Sequence, residues 1–143
     1  MMQPLVYTAA SIRGKLLPLS TSSHAFLRFS SHTMPSLAIL DDYANIGPTY
    51  FKHINHLNVD SFPDTIPPNT PENIQALAAR LGQYPIISSM RERTPFPRDL
   101  LAALPNLKLL ITTAKRNRAI DMVAARELGI VVATAPGTRD ITH

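Results

Sequence analysis

The sequence predicts an α/β fold built on an open, mainly parallel, five-stranded sheet of flavodoxin-like size with helices on both faces. Three observations support this prediction. From residue 36 onward, five short apolar runs alternate with helical patterns. Each pair of runs is far enough apart to supply the crossover that parallel strands need. The chain has 143 residues, 45% of them apolar, which is enough for one packed core of ordinary size.

The first half of the fold begins with a continuous apolar run at 37–40, which is typical of a buried strand. Residues 48–56 place aromatic and aliphatic side chains on one side and predict a helix. A more polar strand is expected at 57–62. The stretch 63–71 contains four prolines and is predicted to be a loop.

The next helix has the clearest boundaries of any predicted element. Thr70 can cap its amino end, and Pro71 suits the first helical position. Apolar residues such as Leu77 and Leu81 repeat on one face, and Gly82 can end the helix. The pattern therefore predicts an amphipathic helix that packs on the sheet.

The second half repeats the alternation of strand and helix. An apolar run predicts a third strand at 86–90, and Pro97 then opens a short leucine-rich helix. The fourth strand is expected at 107–112. A helix follows at 119–128 and stops before a glycine, and 130–135 forms the fifth strand.

The basic character of the chain is concentrated at its amino end. The formal charge is +4, but residues 1–33 contain Arg13, Lys15 and Arg28 and no acid. Without that segment, 11 basic side chains face 10 acidic ones. A globular part so close to neutral lacks the field that nucleic acid binding requires, so no nucleic acid partner is expected.

The same segment, 1–33, is rich in serine and threonine, which is the composition of a transit segment. A mitochondrial location follows if it is one. The alternative is that translation starts at Met34 and 1–33 is a disordered leader or a misassigned exon, in which case the protein is cytoplasmic. No run approaches 18 apolar residues, so no membrane association is expected.

The sequence does not support several kinds of functional site. The chain has no cysteine, and its five glycines do not form the GxGxxG turn of a dinucleotide site. Asp41 and Asp42 could hold Mg²⁺ as in receiver domains, but the third carboxylate is missing, and a solvated turn or cap is expected. His53 and His56 lack a third ligand, so no metal site is expected.

Two basic loops remain as the candidate site. Each one follows a predicted strand, at 90–96 and at 112–121, and would lie at the carboxyl edge of a parallel sheet, where ligands bind. Guanidinium groups and loop amides in that position can take up a carboxylate. The alternative is a set of solvated charges in which Glu92 neutralises an arginine. The basic residues concerned are Arg91, Arg93, Lys115, Arg116 and Arg118.

At these loops the sequence resembles the amino-terminal part of the D-isomer-specific 2-hydroxyacid dehydrogenases. The resemblance rests on the segments 40–43, 90–96 and 104–121, and on 129–132, which resembles the strand that closes the catalytic half. It covers 34–143 and identifies that region as the family's catalytic, substrate-binding domain.

The resemblance implies a second, inserted Rossmann domain that binds NAD or NADP, and this chain stops near the crossing into it. The family's catalytic arginine, glutamate and histidine match no position here. No catalytic or cofactor-binding residue is therefore expected in this chain, which is predicted to be inactive alone.

The resemblance also implies where the substrate binds. The loop Thr113, Ala114, Lys115 and Arg116 corresponds to the segment whose backbone amides hold the substrate carboxylate, and Arg91 to an arginine near the cleft. Related members usually carry glycine at the position of Ala114. If that position needs a positive φ, alanine would strain the loop.

The function implied is that of a catalytic-domain fragment of an NAD(P)-dependent oxidoreductase, whose partner is a small 2-hydroxy or 2-oxo acid. In the full-length enzyme a hydride would pass between C2 of that acid and nicotinamide. The alternative is a non-catalytic binding or assembly module, a pseudoenzyme that keeps the fold and forms a homodimer or pairs with a full-length paralogue. An incomplete gene model is the third explanation.

Overall fold

Nine elements make up the fold of the protein, in a computed structural model that describes residues 34–114 and 117–134. The predicted leader, 1–33, and residue 135 of the fifth predicted strand lie outside the described residues. The strands are β1 Ser36–Leu40, β2 Asn58–Phe62, β3 Ile86–Ser89, β4 Leu109–Thr112 and β5 Val131–Thr134. The helices are α1 Gly47–Phe51, α2 Pro71–Leu81, α3 Arg98–Ala102 and α4 Met122–Glu127.

All five strands are parallel and lie in the order β2-β1-β3-β4-β5, which confirms the predicted flavodoxin-like sheet. The first crossover runs from β1 to β2, and the next three run in the opposite direction. Right-handed crossovers therefore place α1 on one face and α2, α3 and α4 on the other. Contacts of α3 with both α2 and α4 agree with that arrangement.

The core lies between the sheet and the layer formed by α2, α3 and α4. Ala38, Ile87 and Leu110 occupy neighbouring positions of β1, β3 and β4 and are fully buried. The helices contribute residues such as Leu77 and Leu100 to the same cluster. Because one layer of helices shares a continuous apolar contact with three central strands, the sheet and its loops form one body.

Helix α2 begins and ends where the sequence predicts. The Thr70 hydroxyl oxygen accepts a hydrogen bond from the Asn73 amide at 3.2 Å, and Pro71 is the first helical residue. At the other end, a Cβ on Gly82 would stand 2.7 Å from the Ala78 carbonyl oxygen. The φ of Gly82 is −60°, which any residue can adopt. Glycine therefore suits this end of the helix because the backbone passes close to the Ala78 carbonyl oxygen, and not because of its conformation.

Two helices are shorter than predicted. Helix α1 ends at Phe51 instead of residue 56, because two successive turns, closed by the Ile54 and Leu57 amides, return the chain to β2. Helix α4 begins at Met122 instead of residue 119. Its preceding residues pair with the loop after β3, and the Asp121 carboxylate caps the helix by accepting from the Ala124 amide at 2.8 Å.

Four of the predicted strands are also shorter in the structure. β2 and β5 each begin one residue later than predicted, at Asn58 and Val131. β3 ends at Ser89 rather than residue 90, and β4 begins at Leu109 rather than residue 107. The residues that leave the strands belong to the turns that bring the chain into and out of the sheet. No helix among 34–114 and 117–134 is long and apolar enough to cross a membrane.

Candidate functional site

The carboxyl edge of the sheet brings together the loops that follow β1, β3 and β4. β3 lies between the other two strands, so its loop has a neighbour on each side. In the order β2-β1-β3-β4-β5 the chain turns to opposite sides after β1 and after β3. That divergence opens a crevice at the carboxyl edge, which is where open α/β sheets bind ligands.

Direct hydrogen bonds join the loop after β3 to the loop after β4. The Arg91 amide donates to the Thr113 hydroxyl oxygen at 3.2 Å, and the Thr113 amide donates to the Ser89 carbonyl at 3.2 Å. The Asn117 side-chain amide donates to the Arg91 carbonyl at 2.7 Å and to the Thr112 hydroxyl oxygen at 3.1 Å. The two basic loops predicted from the sequence are therefore neighbours.

The predicted site residues do not all lie in the described part of the chain. Arg91 and Thr113 are exposed and adjacent, and Ala114 is half-buried beside them. Lys115 and Arg116 lie outside the described residues. Asn117 was not predicted, although an amide side chain that can both donate and accept is a common means of tying two loops together.

Backbone strain lies at a different position from the one expected. Among the described non-glycine residues, those with positive φ are Asp41, Asn45 and Arg91, at 60°, 49° and 54°. Ala114 is not among them, so the strain expected there from its replacement of glycine is absent. Aspartate and asparagine adopt this conformation readily, whereas a bulky arginine seldom does. The turn after β3 is thus held in an unfavourable conformation by its surroundings.

Asp41 and Asp42 are not the solvated turn that the sequence suggests, because both are buried. Asp41 is 0% exposed and accepts hydrogen bonds from the hydroxyls of Thr65 and of Thr94, the latter at 3.0 Å. These threonines belong to the loops after β2 and β3. The Asp41 carboxylate therefore connects three loops of the carboxyl edge.

Asp42 holds the start of α1, as a cap would. Its carboxylate accepts from the amides of Ile46 and Gly47, at 3.1 and 2.8 Å, and from the Ser61 hydroxyl at 2.7 Å. Burial is the largest single influence on this carboxyl and raises its pKa. The hydrogen bonds from Ser61, Gly47 and Ile46 together outweigh burial, so the pKa is lowered from its ordinary value of 3.8.

The lowered pKa leads to a test with a defined sign. Because the folded-state pKa of Asp42 is below 3.8, its charge adds stability above that pH and loses it as the pH falls through the folded pKa. Asp42→Asn should reduce the free energy of unfolding at neutral pH by ~1–3 kcal/mol, since an amide cannot accept all three hydrogen bonds. Urea unfolding at neutral and acidic pH should show the difference from wild type shrinking in acid.

The matched control is Asp99→Asn, at an exposed position in the first turn of α3. It should change stability by less than ~0.5 kcal/mol at either pH. A difference between Asp42→Asn and wild type that is unchanged in acid would contradict the role given to the charge.

A cation–π pair spans the crevice between β1 and β3. The Arg93 guanidinium carbon lies 4.7 Å from the centre of the Tyr43 ring. The Tyr43 hydroxyl in turn shares a 2.6 Å hydrogen bond with the Thr65 hydroxyl. The loop after β3 therefore contacts the loop after β4 through Arg91 and the loop after β1 through Arg93.

A metal site is not formed by the residues that the structure describes. His53 and His56 are exposed after α1, and no group of three or more metal-ligating side chains occurs in the described part. An open cavity of about 510 Å³ lies at the opposite, amino edge of the sheet, beside Asn58, Asp60 and Tyr84. Its Asp60 carboxylate already accepts from the Tyr84 hydroxyl at 2.8 Å. The position of the loops favours the carboxyl edge as the functional one.

Comparison with known proteins settles the family. The model of the D-isomer specific 2-hydroxyacid dehydrogenase catalytic domain matches residues 37–142. The chain belongs to this family. No curated protein matches the chain in sequence. The fold predicted from the alternating pattern, and the family predicted from the resemblance of segments 40–43, 90–96, 104–121 and 129–132, are thereby confirmed.

Solved structures agree with the family. A phosphoglycerate oxidoreductase from Vibrio cholerae is 34% identical with a TM-score of 0.64, over 73% of this chain and 32% of that one. An oxidoreductase from Ralstonia solanacearum, assigned as a D-3-phosphoglycerate dehydrogenase, is 30% identical with the same TM-score, over 72% and 30%. D-lactate dehydrogenase from Aquifex aeolicus, at 20% identity and a TM-score of 0.56 over 71% and 28%, shares the fold. The chain thus spans about a third of the length of these proteins.

Proposed function

We propose that this chain supplies the acid-binding part of an NAD- or NADP-dependent 2-hydroxyacid dehydrogenase. The observation that carries the proposal is the junction of Arg91 and Thr113 at the carboxyl edges of β3 and β4. It joins the backbone of an exposed arginine to an exposed threonine hydroxyl, next to the half-buried Ala114. A carboxylate needs several convergent donors of this kind.

The donors that remain free within the junction define how the acid would be held. The Thr113 amide already donates to the Ser89 carbonyl. The Thr113 hydroxyl accepts from the Arg91 amide and keeps its own proton to donate. The Ala114 amide points at the Thr112 hydroxyl oxygen from 3.4 Å, which is a long, weak bond. The Thr113 hydroxyl, the Ala114 amide and the Arg91 guanidinium are therefore the proposed carboxylate ligands, with Lys115 and Arg116 adding positive charge.

The backbone strain at Arg91 also supports the proposal. A bulky residue held at a φ of 54° costs ~1–2 kcal/mol, and such residues concentrate at binding sites, where the surrounding structure imposes the conformation. Here the Thr113 hydroxyl and the Asn117 side chain hold the Arg91 backbone from both sides. The backbone of Arg91 is thus held at the edge before any acid arrives, which lowers the entropic cost of binding.

The nicotinamide cofactor is proposed for the whole enzyme, and not for the described residues. The Aquifex aeolicus relative was solved with NAD and lactic acid. In this chain, β1 ends in the buried carboxylates of Asp41 and Asp42, where a dinucleotide site would need a glycine turn that admits a pyrophosphate. The residues present do not fit the cofactor, and this chain's contribution is to bind and orient the acid so that C2 faces it.

The test of acid binding is an NMR titration of the ¹⁵N-labelled chain with D-lactate, a monoanionic 2-hydroxy acid. We expect the amide signals of Arg91, Thr113 and Ala114 to shift together with a single dissociation constant, because all three residues lie at the proposed carboxylate site. Signals at the amino edge, such as that of Lys108, should stay in place. A non-catalytic module predicts no shifts at the carboxyl edge, and shifts confined to the amino-edge cavity would refute the proposed site.

The second expectation is that the chain alone does not bind NADH and does not oxidise D-lactate. The physical reason is the absence of a glycine turn after β1 and of any matching acid/base histidine. Isothermal titration calorimetry with NADH should give only heats of dilution. Stoichiometric heat at micromolar affinity would show that the chain binds the cofactor without a second domain.

A further inference from the structure

We infer that the outer edge of β5 is an interface for a second copy of this chain. The two β5 strands would pair antiparallel about a twofold axis at Ala133, so that two five-stranded sheets form one continuous sheet. This inference goes beyond the proposed function and does not depend on acid binding.

The backbone of β5 is the first argument. β5 pairs in parallel with β4, and the Val131 amide donates to the Lys108 carbonyl at 2.9 Å. Successive residues of a strand direct their backbone groups to opposite sides, so those of Val132 and Thr134 face away from β4. No hydrogen bond joins them to another residue of 34–114 or 117–134. An edge of this kind is a template for a further strand.

The side chains of β5 are the second argument, because none of them protects the edge. Proteins guard edge strands with charged residues, prolines or bulges. The β5 sequence of two valines, an alanine and a threonine has neither a charge nor a proline. β2, the strand at the other end of the sheet, carries the exposed Asp60. The chain thus guards one edge with a charge and leaves the other open.

The apolar surface beside β5 is the third argument. Met122 and Val123 at the start of α4, Leu128 directly after it and Val131 of β5 are 45–63% exposed. Because α4 contacts β5, the four side chains belong to the same end of the sheet. Exposed apolar surface of this kind marks an interaction site. In the twofold arrangement the α4 helices of both copies lie on the same face of the joined sheet, next to each other.

The partner that suits this edge is a second copy, because a register centred on Ala133 uses all of its free groups. Val132 then lies opposite the partner's Thr134, and each such pair can exchange two hydrogen bonds. The two Ala133 residues meet at the axis with their Cα atoms roughly 4.5 Å apart, where a small side chain fits. Such a contact is isologous, so association stops at the dimer.

The size of the interface sets its expected strength. β5 has four residues, so the paired strands are only about 13 Å long. With one helix alongside, each copy would bury on the order of 400 Å², roughly half of what a stable interface buries on each side. We therefore expect a reversible dimer that forms in the micromolar range or above. Because the two strands run in opposite directions, the carboxyl edges point away from each other and both acid-binding junctions stay open.

The experiment is sedimentation equilibrium of the full chain between about 10 μM and about 1 mM. Ala133→Lys and Ala133→Glu are measured alone and as an equimolar mixture. Thr134→Pro removes one outward amide and keeps the pairing with β4. The control is Tyr50→Lys, which adds a charge at an exposed position of α1. Thermal unfolding of each variant checks that the fold is retained.

Wild type should show a reversible equilibrium between monomer and dimer. Ala133→Lys and Ala133→Glu should each raise the dissociation constant at least about tenfold, because like charges then lie directly opposite each other. Mixing the two should restore dimerisation to near the wild-type level, since opposite charges meet at the axis. Thr134→Pro should weaken the dimer, and Tyr50→Lys should not.

An NMR concentration series of the ¹⁵N-labelled chain locates the interface. The amide signals of Val132 and Thr134 should shift as the dimer forms, and that of Asp60, on the opposite edge, should stay in place.

A wild type that stays monomeric over the whole range overturns the inference. So do charged variants that dimerise as wild type does, or a mixture of the two that remains monomeric, because the contact then lies elsewhere. If a charged variant fails to fold, Thr134→Pro and the NMR series decide in the same way. None of these results bears on the binding of D-lactate, so this inference and the proposed function can fail separately.

Discussion

Phe96→Ala should lower the free energy of unfolding by ~3–5 kcal/mol, the largest effect expected of any single substitution in the described core. The Phe96 side chain is 0% exposed and belongs to the cluster between the sheet and its helices. Its removal would leave a cavity that the surrounding leucines can fill only in part. Urea unfolding followed by circular dichroism would measure the change.

The backbone of Phe96 explains why this position also matters to the site. Its amide donates to the Ala119 carbonyl at 2.7 Å, and its carbonyl accepts from the Asp121 amide at 3.0 Å. These bonds join the end of the loop after β3 to the start of α4. Loss of the ring should therefore loosen both loops of the candidate site as well as the core.

The matched control is Tyr50→Ala, an aromatic position on α1 that is 69% exposed. It should change the free energy of unfolding by less than ~1 kcal/mol, because little apolar surface is returned to water. Comparable losses from the two substitutions would show that the core is not where the structure places it.

Local signals account for what the sequence predicted well. The cap at Thr70, the proline at the first helical position and the terminal glycine of α2 all act within a few residues of one another. The apolar runs of the strands are equally local, and the lengths of the crossovers fix the parallel pairing. For these reasons the sheet, its helices and the adjacency of the two basic loops could be predicted.

The predictions failed where partners are distant in sequence. Asp41 looks like part of a polar turn, but it is buried because Thr65 and Thr94, 24 and 53 residues away, supply its hydrogen bonds. The stack of Arg93 on Tyr43 depends on the same long-range arrangement. No local pattern contains that information.

Arg91→Ala should weaken binding of D-lactate by ~1.5–3 kcal/mol, the range for a hydrogen bond to a charged group. The lower end of that range is expected because the Arg91 side chain is exposed and water screens its charge. Stability should change little, since alanine keeps the backbone amide that donates to Thr113 and the carbonyl that accepts from Asn117. The measurements are the dissociation constant from NMR titration and the urea midpoint.

Lys108→Ala is the control for charge. Lys108 is exposed and lies directly before β4, at the amino edge of the sheet. Its substitution by alanine therefore removes the same single positive charge, but far from the junction. If general electrostatic attraction draws the acid to the protein, the two substitutions should weaken D-lactate equally. If the guanidinium contacts the carboxylate, only Arg91→Ala should weaken binding of D-lactate. That loss of affinity should persist in high salt, where attraction over longer distances is screened. Equal losses, or a loss in Arg91→Ala that disappears with salt, would remove Arg91 from the acid-binding site.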